Sequence, residues 1–150
     1  MPCAPLDDLI GHALPGGRFA LESYEDRLLR EVVLSGPGPP GQLHPLSVFS
    51  ALQRSIGMSL ADFFRLCRSD ASEGPVLGET RLELRTPIRV DRAYDVHAWI
   101  SDVRRRTGKR AGLIDIVWLS ASAVEAGREG SDSPAATLMN SYIFRRPVAS

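Results

Sequence analysis

His44 is the residue best placed by the sequence to do chemistry. It stands just before Pro45 and a run of helical periodicity, so it marks the point where a helix begins. The partial positive charge of a helix N-terminus disfavours the imidazolium and leaves a neutral ring suited to proton abstraction or hydrogen bonding. The same N-terminus carries backbone N–H groups without intrahelical partners, a site for a developing oxyanion, although Pro45 removes one of them. The structural alternative is a histidine that ties loop to helix. Further along, Ser50 and Gln53 are polar candidates for the same reaction centre, with Pro45, Leu46 and Arg54 beside them as substrate contacts. The Gln53 amide is neither a base nor a nucleophile, but it can orient a water or bind a carbonyl; a solvent- or partner-facing position is its plainer role. Asp62 follows Ser59 by three residues and reads first as a helix-start acid, second as a catalytic carboxylate.

Two further groups carry charge in a pattern. Asp95, His97 and Trp99 alternate and share one face of a strand, with Asp102 a step beyond, so a carboxylate and an imidazole lie within reach of each other. An exposed cross-strand ion pair explains them better than catalysis. Arg104, Arg105, Arg106, Lys109 and Arg110 crowd one hairpin turn. A solvated hairpin tip is their first explanation and phosphate binding, to which arginine is suited, their second. The histidines and acids show no metal-ligand spacing, and the proline-rich Ser35–Gly41 stretch cannot present consecutive N–H groups to a phosphate. No metal is expected.

The elements that must hold these residues follow from periodicity. Residues 1–17 are rich in proline and glycine and read as a flexible leader with a short turn near Leu6 to His12; residues 18–150 read as a single domain. Arg18 to Glu22 suits a short strand. Ser23 with Asp26 resembles a capping pair opening a helix to about Leu34, which the Ser35–Gly41 loop ends. The central helix opens at Pro45, a residue tolerated in the first turn. Leu46, Phe49, Leu52 and Ile56 form its apolar stripe, with Val48 and Ala51 at the flank. Gly57 predicts a break, after which Ser59 caps a second piece through Cys67. From Val76 the period becomes two. Strands are expected over Val76–Thr86, from Tyr94 to the Thr107–Lys109 turn, over Ala111–Ala126 and over Ala135–Arg146, with a polar loop at Gly127–Pro134. The order is α+β, with helices against one face of an antiparallel sheet.

The chain has 150 residues, 18 basic and 18 acidic, so no net field draws it to nucleic acid or an anionic membrane. Two cysteines, Cys3 and Cys67, are too few for a disulfide framework and suit reduced thiols in the cytoplasm. The N-terminus lacks the basic region of a signal peptide, and no apolar run nears the ~18 residues of a membrane span.

His44-Pro45-Leu46-Ser47-Val48-Phe49-Ser50-Ala51-Leu52, together with Arg85-Thr86-Pro87-Ile88-Arg89-Val90 and its Asp91-Arg92 turn, resembles the hotdog fold, in which a sheet wraps a central helix. Within it the resemblance is to the MaoC-like dehydratases and hydratases, over roughly residues 17–146. It implies an acyl thioester substrate on coenzyme A or a carrier protein, no resident cofactor, and at least a homodimer or a hetero-oligomer with another hotdog chain. It also implies that the basic hairpin, through Arg105, Arg106, Lys109 and Arg110, touches the carrier's phosphates. The family's Asp-x-Asn-Pro-x-His loop, placed before the central helix, has no counterpart: Ser35–Leu43 holds neither Asp nor His. The acid/base pair of a hydratase is therefore missing, and a partner chain is expected to supply it. Two alternatives stand beside this: a thioesterase using His44 and a bound water, and a non-catalytic acyl-binding or assembly subunit. In some hotdog thioesterases an acid nine or ten residues after the helix-opening histidine does the chemistry; here that place holds Gln53.

Overall fold

A computed structural model describes residues 4–128 and 133–147. The chain order is a 3-10 turn (Asp7–Leu9), β1 (Gly17–Phe19), α1 (Ser23–Val32), α2 (Pro45–Arg54), α3 (Leu60–Leu66), a second 3-10 turn (Ala71–Glu73), β2 (Val76–Leu84), β3 (Tyr94–Gly108), β4 (Gly112–Glu125) and β5 (Ala136–Arg146). The strands form one antiparallel sheet in the order β1-β3-β4-β5-β2. β2 therefore lies at an edge, far in space from its neighbours in sequence.

Alternation decides which face meets the helices. Val96, Ala98 and Ile100 on β3, Val117, Leu119 and Ala121 on β4, and Leu138, Tyr142 and Phe144 on β5 are buried. Their partners one residue along, among them Trp99, Ile116 and Trp118, lie half-buried on the outer face. The small residues Ala98, Ala121, Ala123 and Ala136 leave room for α2, which packs against β2, β4 and β5. A helix enclosed on one side by a sheet is thus present as expected, but it is rotated. Its fully buried residues are Val48, Ala51 and Leu52, with Ser47 beside them and Ile56 just past its end, whereas Leu46 is 46% exposed and Phe49 half-buried. Val48, Leu52 and Ile56 recur every four residues, and the small Ser47 and Ala51 on the same side let the sheet come close.

The break falls where glycine requires it. Gly57 has φ +88°, and a Cβ there would lie 2.5 Å from the Gly16 carbonyl oxygen and 2.7 Å from the Gly16 nitrogen. Ser59 then caps α3, its Oγ accepting from the Asp62 N–H at 3.1 Å. Asp62 is engaged there, also bonding Arg65 at 2.6 Å, in the helix-start role read for it.

Two local expectations change. The cap of α1 is Glu22 rather than Ser23, with Glu25 reaching back to the Glu22 N–H at 2.8 Å, so the register moves by one. That shift frees Asp26 from the cap and buries it. The segment read as a flexible leader is packed from Leu6 onward: Leu6, Leu9 and Leu14 are buried, and Gly11, His12 and Leu14 exchange backbone hydrogen bonds with Ile100 and Ala98 of β3. Its prolines gave no periodicity from which to read this. Cys3, which was read as a reduced thiol, and part of the Gly127–Pro134 loop lie outside the described residues.

Candidate functional site

The start of α2 is built on Asp26. Its carboxylate sits between the two helices, with Oδ1 accepting from the His44 N–H at 2.7 Å and the Ser47 hydroxyl at 2.8 Å, and Oδ2 accepting from Arg30 Nε at 2.7 Å. The ion pair is nearly enclosed, with side-chain exposures of 13% for Arg30 and 8% for Asp26. Burial raises the Asp26 carboxyl pKa, but the hydrogen bond from Arg30, with those from His44 and Ser47, outweighs it and holds the group below its usual value. Arg30 also donates to the carbonyls of Gly36 and Gln42, which ties the Pro/Gly loop to both helices.

His44 is the N-cap of α2. Its Nδ1 accepts the Leu46 N–H at 3.1 Å, the side-chain cap of the helix. The Ser47 and Val48 N–H groups bond to the His44 carbonyl oxygen. With Pro45 lacking a proton, every N–H that the first turn would offer to an oxyanion is engaged. The oxyanion role expected for this N-terminus therefore has no donor in this conformation, and the histidine acts as the tie between loop and helix.

The other α2 candidates come together elsewhere. Ser50, Gln53 and Arg54 line an open cavity of about 530 Å³ at the elbow between α2 and α3, together with Phe49, Met58 and Leu60. Arg54 is exposed, while Ser50 and Gln53 are half-buried. His44 is absent from this lining; nine helical residues separate it from Gln53, a rise of about 13 Å. One reacting atom cannot touch both. Pro45 and Leu46, the expected substrate contacts, are exposed on the His44 side, away from the elbow. Ser50 and Arg54 also border a narrow crevice of about 70 Å³ between α1 and α2, together with Glu25. Met58 and Leu60, which shape the elbow cavity, were not among the sequence candidates; the Gly57 break was the signal that a concave corner would form beside them.

The strand candidates resolve as structure. Asp95 pairs across the sheet with Arg18 at 2.7 Å, and that hydrogen bond depresses its pKa. His97 is exposed on the same face. Asp102 is bonded to Arg104 at 2.9 Å, and the Arg104 guanidinium lies 5.2 Å from the centre of the Trp118 ring.

The basic hairpin divides. Arg105 turns to the helix-facing side and binds Asp115 at 2.7 and 2.9 Å, so its guanidinium is not offered to a phosphate at the tip. β3 carries an irregularity between Ile100 and Asp102, which shifts the alternation and sends Arg105 inward. Arg106, Lys109 and Arg110 remain exposed at the tip. Asp115 is fully buried and also takes Arg146 at 2.8 Å, while Arg146 donates to the carbonyls of Cys67 and Arg68 at the end of α3. Burial raises the Asp115 pKa, yet the two arginines hold it below the usual carboxylate value. The cluster is a clamp of sheet to helix. Nearby Cys67 is free and buried, and burial pushes its thiol up to about 12. Among the described residues no three His, Cys, Asp or Glu side chains gather as a metal site, and no helix is long and apolar enough to cross a membrane.

No known family's sequence pattern matches the chain, and no curated protein sequence matches it. Solved structures do match its shape. One is the C-terminally truncated HadBC (3R-hydroxyacyl-ACP dehydratase) complex from Mycobacterium tuberculosis, at 16% identity and a TM-score of 0.66, covering 91% of this chain and 97% of that one. A second is the ChsH1–ChsH2 complex from the same organism, at 12% identity and a TM-score of 0.65, covering 99% and 86%. A third is the monoamine oxidase regulatory protein from Archaeoglobus fulgius, at 10% identity and 0.60, covering 93% and 92%. The chain has the hotdog fold.

Proposed function

We propose that this chain is a MaoC-like hotdog protein that binds acyl thioesters, carried on coenzyme A or a carrier protein, as a subunit of a dehydratase or hydratase. The observation that carries this is the elbow cavity: Phe49, Met58 and Leu60 offer apolar surface for an acyl chain, and Ser50, Gln53 and Arg54 offer a few polar groups to hold the thioester end. The fold shared with the HadBC and ChsH1–ChsH2 complexes supports it, since both are assemblies of more than one chain.

In this reading the acid and base come from another hotdog chain. Hydration needs a titratable group within hydrogen-bond reach of the reacting carbon's proton. The cavity lining has none: it holds no histidine, carboxylate, lysine, tyrosine or cysteine, and a serine or a glutamine without a base is inert. His44 keeps the neighbouring turn in place, and Asp26 positions His44. Arg106, Lys109 and Arg110 meet the carrier's phosphates, no resident cofactor takes part, and the work is done in the cytosol.

Purified chain should leave a crotonyl or longer enoyl thioester unhydrated, and mixing with a hotdog chain that carries an Asp/His pair should start the reaction. Hydration by the chain alone would overturn the division of labour. Release of free thiol from a saturated acyl thioester would favour the thioesterase alternative, and silence in every mixture would leave acyl binding or assembly as the function.

A further inference from the structure

A net charge of zero is a sum over the whole surface, whereas screening limits each contact to the charges within about 10 Å of it. Alternation along the strands gathers basic side chains at one corner. Asp115 and Val117 on β4 and Phe144 on β5 are buried against the helices, so Ile114, Ile116, Ile143 and Arg145 belong to the outer face. Arg104 and Arg106 flank the inward Arg105 and join them there. The register sets out two rows across the sheet. In one, Ile114 lies between Arg106 and Arg145; in the next, Arg104, Ile116, Ile143 and Val76 follow one another. Lys109 and Arg110 stand just beyond, at the β3–β4 turn.

Two features turn this corner toward something outside the chain. Arg106, Lys109, Arg110 and Arg145 are exposed and have no acidic partner among the described residues, whereas their neighbours Arg104, Arg105 and Arg146 are each paired. The acids nearby are Asp102, held by Arg104, Asp115, buried beneath two arginines, and Glu79 one row further on β2, beside Arg81. The second feature is the isoleucine between the arginines, where the same face further along β4 carries Ser120 and Ser122. Val76, at the end of its row, is 57% exposed.

Branched apolar side chains framed by unpaired cations suit the boundary between headgroups and acyl chains of an anionic bilayer, where the cations meet phosphate and the apolar groups leave water. Other partners fit less well. Single-stranded nucleic acid stacks on free aromatic faces, and Trp118, the aromatic side chain on this part of the face, already carries Arg104 at 5.2 Å. A tight protein contact is anchored by a side chain seated in a pocket, and isoleucines half-buried between exposed arginines give no such anchor. We infer that this corner docks reversibly on the surface of an anionic lipid bilayer, with Arg106, Lys109, Arg110 and Arg145 among the headgroups. The inference does not rest on the acyl thioester reading. That reading gives Arg106, Lys109 and Arg110 a carrier's phosphates; Arg145 and the isoleucines are added here, and the surface serves one anion at a time.

Co-sedimentation of the purified chain with lipid vesicles tests it. The chain binds vesicles of phosphatidylcholine with about one-third phosphatidylserine, ignores pure phosphatidylcholine, and is released by added salt. Each basic residue at an anionic surface strengthens binding about fivefold, so Arg145→Glu, which removes a cation and adds an anion, weakens it about tenfold or more. Arg145→Lys keeps it, and Arg85→Glu, a reversal at the opposite end of the sheet, leaves it nearly unchanged. In a Trp99→Phe background, Trp118 is the one tryptophan left, and brominated lipid quenches its fluorescence. Met58→Glu, which alters the elbow cavity, leaves vesicle binding intact, so the two readings fail separately. Equal binding to pure phosphatidylcholine, no binding to either vesicle, or an Arg145→Glu effect no larger than that of Arg85→Glu would overturn the proposal. So would release by inorganic phosphate where chloride of the same ionic strength does not release, the mark of a free-anion site, or tighter binding to polyglutamate or polyuridylate than to the vesicles.

Discussion

Replacing Asp26 by alanine tests whether the start of α2 is held as described. The change leaves Arg30 without its carboxylate at 2.7 Å, and the His44 N–H and Ser47 hydroxyl without an acceptor. Removing one member of a buried ion pair costs about 3–5 kcal/mol, because the other charge is stranded. Arg30 keeps 13% side-chain exposure and long bonds to two carbonyls at 3.3 and 3.4 Å, so the lower end, about 3 kcal/mol, applies. With a urea dependence of about 2 kcal/mol per molar, the unfolding midpoint falls by about 1.5 M. Asp26→Asn keeps an acceptor for His44 and Ser47 but turns away the guanidinium, and it falls between. Adding Arg30→Met to Asp26→Ala removes the stranded cation and recovers about 1–2 kcal/mol, so the double-mutant cycle is non-additive. A loss below about 1 kcal/mol for Asp26→Ala, or an additive cycle, would refute the argument.

Other consequences follow from the same contacts. His44→Ala removes the Nδ1 cap on Leu46 and lowers the melting temperature by about 3 °C, whereas His44→Asn, a strong N-cap, holds it within about 1 °C of wild type by calorimetry. Gly57→Ala combines a left-handed φ with overlap on the Gly16 backbone and destabilises by about 2–4 kcal/mol in urea. The pH dependence of stability has a definite sign. Asp115 and Asp26 are held below the usual carboxylate value of 3.8, so their contribution is complete above that pH and is lost as the pH falls through their folded pKa values. Asp115→Asn lowers stability at neutral pH and flattens this acid limb in urea midpoints taken against pH.

The sequence made the fold legible where local pattern and tertiary packing agree. The break at Gly57, the cap at Ser59 and the period-two strands are short-range signals, and each element stands close to where it was read. The face of α2 was read half right: Leu52 and Ile56 of the expected stripe are buried, but Leu46 and Phe49 are as apolar as Val48, and only the approach of the sheet to Ser47 and Ala51 decides which side is buried. Asp26 was read as a helix-start acid; Arg30 stands four residues on, but a pair of that spacing is usually solvated, and nothing local showed that α2 would close over it. Arg105 was read with its neighbours at the hairpin tip because the irregularity that turns it inward leaves no mark on composition. Of the site residues, Ser50, Gln53 and Arg54 share a cavity because they lie on consecutive turns of one helix, and His44 is excluded for the same reason, being too far back along it.

The elbow cavity is the centre of the functional account, and equilibrium binding of a series of saturated acyl-CoA thioesters tests it most directly. If the acyl chain enters between Phe49, Met58 and Leu60, affinity should rise by up to about fourfold for each methylene buried until the cavity is full, and Met58→Glu should abolish that rise while leaving binding of free coenzyme A unchanged. An affinity that does not vary with chain length, or a length dependence untouched by Met58→Glu, would contradict it.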